Sequence, residues 1–92
     1  MTNTRNFTKG GSDPRKLATQ AVEDILEAGA SRHGHSWDGW RNDNPAMHVA
    51  KAIKHLSTYT LQKLGAYKPD GENHLEYALC RVAMALTIEK DA

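Results

Sequence analysis

Between Asn44 and Leu86 the apolar residues recur at helical, not strand, spacing. Val49, Ile53, Leu56 and Leu64, with Thr60 in the same series, follow one another at three- and four-residue steps, and Leu75, Ala78, Leu79, Val82, Ala83 and Leu86 repeat that rhythm. Asn44-Pro45 supplies a capping side chain followed by a proline at the first helical position. The segment Lys68-Pro-Asp-Gly-Glu-Asn, between the two series, is dense in residues that stop one helix and start another. The pattern predicts two amphipathic helices, the first over about 46–64, joined as an antiparallel helical hairpin around which the rest of the chain is organised.

A further helix is predicted ahead of them. Ser12-Asp13-Pro14 is a cap followed by proline, and Leu17, Ala18, Ala21, Val22, Ile25, Leu26 and Gly29 form one stripe, with Lys16, Thr19, Gln20, Glu23 and Glu27 on the other side. This helix should end near Gly34. From Gly34 to Asn44 there is no period, yet the segment carries both tryptophans, Trp37 and Trp40, either as an aromatic lid on a small core or as a stacking platform for a base. Residues 1–11 are rich in Thr, Asn, Lys and Gly and read as a flexible tail with Phe7 solvated, ahead of a single helical domain over 12–92.

Two faces are polar where a core would not need them. On the second helix His48, Lys51, His55, Thr58 and Gln62 share a side, with Lys54 beside them; this is either a solvated face or a phosphate contact. The third helix has a narrower apolar strip, Tyr77, Met84 and Ile88, opposite its main one, and a helix apolar on two sides is usually sandwiched. In a chain this short the sandwich predicts a homo-oligomer with the third helix in its interface. His74, Tyr77 and Arg81 share a face there, as a ligand-contacting row or as an interface rim.

Composition narrows the function classes. A formal charge of +1 argues against the broad basic surface of a protein that coats long nucleic acid. One cysteine, Cys80, excludes a disulfide framework and reads as a buried thiol or an inter-subunit contact. No stretch reaches the apolar length of a membrane span and the amino terminus has no signal-peptide pattern, so a soluble cytoplasmic protein is expected. Five histidines without a cysteine pair do not make a structural zinc motif. Acids offer more: Glu23 and Glu27 lie one turn apart, with Asp24 at their edge, and Asp70, Glu72 and Glu76 follow later, the residue type that holds Mg²⁺ beside substrate phosphates. There is no nucleophile with an adjacent base, no phosphate-binding glycine loop and no dinucleotide fingerprint.

The order of three short motifs over about 14–86 carries a resemblance. They are Ile25-Leu-Glu-Ala-Gly-Ala-Ser-Arg-His-Gly with Trp37 following, Ala52-Ile-Lys-His-Leu, and Pro69-Asp-Gly-Glu-Asn-His-Leu-Glu-Tyr-Ala-Leu-Cys-Arg. In this the chain resembles the small all-helical phage proteins named for the N-terminal domain of dATP/dGTP diphosphohydrolase, related in style to MazG-like pyrophosphatases. The resemblance places Glu27, Trp37, His55, Asp70 and His74 at motif positions. It departs from that pattern at Leu64-Gly-Ala-Tyr-Lys, where the family has a Gly-Glu pair, at Tyr77, where a second histidine stands, and at Arg32-His33, which replaces Lys-Tyr.

What the resemblance implies is a Mg²⁺-dependent nucleotide diphosphohydrolase that converts a purine deoxynucleoside triphosphate to monophosphate and pyrophosphate. Glu27, His55 and Asp70 would be catalytic, with Glu23, Glu27 and Asp70 on the metal; Lys51, Lys54, His74 and Arg81 would meet the substrate and Trp37 or Trp40 stack on its base. The depleted acid set suits an alternative, a non-catalytic sponge that sequesters a cyclic nucleotide immune signal. A second alternative is a structural helical interaction protein that binds no nucleotide.

Overall fold

A computed structural model describes residues 12–34 and 38–92. The tail with Phe7, and Trp37, lie outside the described residues. Those described form three α-helices, α1 (Pro14–His33), α2 (Pro45–Lys63) and α3 (His74–Asp91), with a 3₁₀ turn at Gly39–Asn42 and no strand among them.

Local chemistry sets the helix ends. The Asp13 carboxylate accepts the Arg15 N–H at 2.9 Å and Pro14 opens α1; Asn44 accepts the Ala46 N–H at 2.9 Å and Pro45 opens α2; Asn73 accepts the Glu76 N–H at 3.1 Å at the start of α3. α2 stops in a paired-bond cap. The Ala66 N–H donates to the Leu61 carbonyl and the Gly65 N–H to that of Gln62, with Gly65 at φ +85°, a conformation that costs a residue with a Cβ.

α3 is the central element. α1, α2 and the 3₁₀ turn each pack on it, and α1 does not pack on α2. The sandwich expected of α3 is therefore met within one chain: Met84, Cys80 and Trp40 form the core, with Val22, Ile25 and Leu26 of α1 and Ile88 packed against them. Cys80 is a buried thiol, and burial pushes its pKa up.

α1 turns its expected stripe inward, through Ala21, Val22, Ile25 and Leu26, but the large apolar residues of the expected stripes on α2 and α3 face outward. His48 is 1% exposed and Ala52 2%, whereas Ile53 is 58% and Leu86 56% exposed. Val49, Leu56, Leu75, Leu79 and Val82 are exposed as well. The expected core face of α2 is thus turned outward, and on α3 the large members of the expected core series are exposed while its Ala78 is buried. The buried face of α2 carries His48 and Ala52; that of α3 carries His74, Cys80, Met84 and Ala85 together with Ala78 of the expected series, and the buried polar groups are satisfied.

Candidate functional site

Two histidine clusters lie along the α2–α3 seam. His55 of α2 meets His74 of α3, and seven residues earlier His48 meets Arg81, seven residues later in α3. The clusters are thus separated by about 10 Å along the helices.

In the first cluster a chain of hydrogen bonds starts at a carboxylate. Asp70 lies in the turn before α3, where its Oδ1 accepts the Glu72 N–H at 3.0 Å, while Oδ2 lies 2.8 Å from His74 Nε2. These bonds, the one to His74 foremost, lower the Asp70 pKa to about 2. Asp70 is therefore ionised and His74 Nε2–H donates to it. In the neutral form of His74 that leaves Nδ1 as an acceptor, to which His55 Nδ1–H, 2.8 Å away, donates. His55 is stacked on Tyr77, with centroids 5.3 Å apart and planes at 19°. Burial, and then the nearby His74, Arg81 and Lys54, outweigh Glu72 and hold its pKa below the ordinary value. His55 is accordingly neutral near pH 7, with Nε2 carrying the remaining lone pair.

The second cluster holds an arginine. His48 Nε2–H donates to the Trp40 carbonyl at 2.9 Å, which fixes His48 Nδ1 as acceptor for Arg81 Nη1–H, also at 2.9 Å. Arg81 is half-buried and makes no ion pair with a carboxylate among the described residues. A cation so placed suits an anionic ligand that supplies the missing charge.

The structure brings His55, Asp70, His74 and Arg81 to one seam. It separates the others. Trp40 is 7% exposed and belongs to the core, with the Arg41 guanidinium 4.5 Å over its ring. Lys51 and Lys54 are exposed on α2, Lys54 next to His55. Glu23 and Glu27 are exposed on α1, the helix that does not reach α2.

Metal-capable side chains do converge, but a different set. One ligand atom each of His55, Glu72 and His74 lies within 4.8 Å of the others. Two imidazoles and one carboxylate are not the oxygen set of Mg²⁺, so the residues gathered within one protomer do not fit that ion. Beside Glu72 and His74 opens a groove of about 380 Å³, lined by Tyr59, Gln62, Lys63, Gly71 and Asn73 as well. Sequence reasoning passed over Tyr59 and Lys63; the four-residue step between them was the available signal.

Comparison of the chain with protein-family models, with curated proteins and with solved structures finds no match.

Proposed function

We propose that the protein is a nucleotide phosphohydrolase, built on an antiparallel α2–α3 hairpin and active as a homo-oligomer. Its reaction is the cleavage of a purine deoxynucleoside triphosphate to monophosphate and pyrophosphate, the purine preference resting on the family resemblance alone. The observation that carries the reading is the Asp70–His74–His55 chain on the same seam as Arg81, which pairs with no carboxylate among the described residues.

In this reading Arg81 and Lys54 meet the phosphates, with Lys51 and Lys63 at the margins, and Tyr59 offers its ring to the base. His55 Nε2 takes a proton from the attacking water as the water oxygen bonds to the α-phosphorus and pyrophosphate leaves with the bridging electrons. The charge that develops on the imidazoles is stabilised by the Asp70 carboxylate. The oligomer follows from the exposed Ile53, Leu56, Leu79, Val82 and Leu86, apolar side chains that a second copy would remove from water. Its interface is thus the leucine face of α2 and α3. The Tyr77, Met84 and Ile88 strip serves inside the protomer.

A second reading, the sponge that holds a cyclic nucleotide without chemistry, is favoured by one observation: Glu23 and Glu27 are not gathered with Asp70. Incubation with dATP or dGTP, followed by chromatography, separates the two. Monophosphate and pyrophosphate should appear, and His55→Ala should lose turnover while nucleotide still raises its Tm. Intact nucleotide with a raised Tm would replace hydrolysis by sequestration, and no shift with any nucleotide would leave the structural helical protein.

A further inference from the structure

We infer that His55, Glu72 and His74 form a binding site for a first-row transition-metal ion of the zinc type. The inference goes beyond the proposed function, which assigns these side chains no metal.

The donors are already oriented. His74 Nε2–H donates to Asp70, which leaves Nδ1 as its only lone pair, and that lone pair faces the Nδ1 of His55 at 2.8 Å. A carboxylate behind a ligating imidazole is the usual device for fixing the tautomer and raising ligand basicity. Stacking on Tyr77 holds the other ring in place. The two Nδ1 atoms share one proton in the apo protein, and a metal ion takes that proton's place.

The displacement required is small. Tetrahedral zinc with bonds of about 2.0–2.1 Å places two ligating nitrogens about 3.4 Å apart, so the imidazoles open by roughly half an ångström. The Glu72 carboxylate, within 4.8 Å of a ring nitrogen of each histidine, must close in. Glu72 is exposed and follows Gly71, which sits at φ +80° in the turn, so its side chain is free to swing without disturbing a packed element. Two histidines and a glutamate are a known catalytic zinc set, and three protein ligands leave a position open for water or a phosphate oxygen. In this molecule the groove of Tyr59, Gln62 and Lys63 lies next to Glu72 and His74. With the ion bound, His55 is a ligand through Nδ1 and carries its proton on Nε2, so its part as proton acceptor belongs to the metal-free protein.

Titration of the metal-free full chain with Co²⁺, followed by Zn²⁺ competition, tests this without any nucleotide present. One equivalent of Co²⁺ per chain should give visible bands of a nitrogen and oxygen site. Zn²⁺ should abolish them, and a hundredfold excess of Mg²⁺ should not. Asp70→Asn should weaken the affinity about 10–100-fold. His74→Ala and Glu72→Gln should remove the bands; the second changes an exposed side chain, and its circular dichroism confirms an intact fold. Bands that survive Glu72→Gln and His74→Ala, displacement by Mg²⁺, or no stoichiometric binding would each overturn the site. Loss of metal binding with nucleotide still bound or cleaved would leave the proposed function standing, and the converse would leave the metal site without that function.

Discussion

The imidazoles of His55 and His74 meet Nδ1 to Nδ1 at 2.8 Å, and a single proton serves both nitrogens. One ring is held neutral by its surroundings while the other is anchored to an ionised carboxylate, so the pair is polarised from Asp70 toward His55.

That polarity has a signature in pH. Burial first, and then His74, Arg81 and Lys54, lower the His55 pKa, against the opposing Glu72, so its ring protons should titrate in NMR with a midpoint below the ordinary 6.5. The sign for stability follows: between the folded and unfolded pKa values the unfolded chain binds the extra proton. Stability tied to His55 is thus complete above about pH 6.5 and falls as the pH drops through its folded value. His55→Gln should flatten that part of the Tm–pH curve, and an unchanged curve would refute the assignment.

Asp70 governs a lower window. Its pKa is about 2 in the folded chain against 3.8 ordinarily, so its contribution is full above pH 3.8 and lost as the pH falls through 2. In Asp70→Asn the acid limb of the Tm–pH curve should become shallower there. Turnover should also fall about 10–100-fold with KM little changed, because the carboxylate acts through His74 and not on the substrate.

The exposed apolar faces predict assembly. Size-exclusion chromatography with light scattering should show a homo-oligomer, and Leu79→Lys or Ile53→Lys should shift it toward monomer with the helical circular dichroism retained, since both side chains are exposed in the protomer. A monomeric parent protein would exclude the proposed interface.

Trp40 should act on stability. It stands in a core of few large side chains with Cys80 and Met84, and its carbonyl orients His48. Trp40→Ala should cost about 3–5 kcal/mol in urea unfolding. In the parent protein the Cys80 thiol should resist alkylation until the chain unfolds, because it is buried and its pKa is raised.

Local sequence alone marked where the helices begin. Asp13-Pro14, Asn44-Pro45 and Asn73 act through bonds to residues two or three positions away, so the capping signals could be read without knowing what else the chain touches. His55, Asp70, His74 and Arg81 were also marked in advance, partly by motif order. The inward face of α1 was legible in its stripe, but which faces of α2 and α3 meet depended on the folded arrangement. The apolar series through Val49, Ile53 and Leu56 and the polar one through His48 and His55 are equally regular, and periodicity cannot say which will meet α3. Nor does it say that Trp40 enters the core, or that Glu72 joins His55 from across a turn while Glu23 and Glu27 remain apart on α1. Those outcomes depend on contacts between residues distant in sequence. The buried polar groups of α2 and α3 find their hydrogen-bond partners on the facing helix, and neither helix specifies that pairing alone.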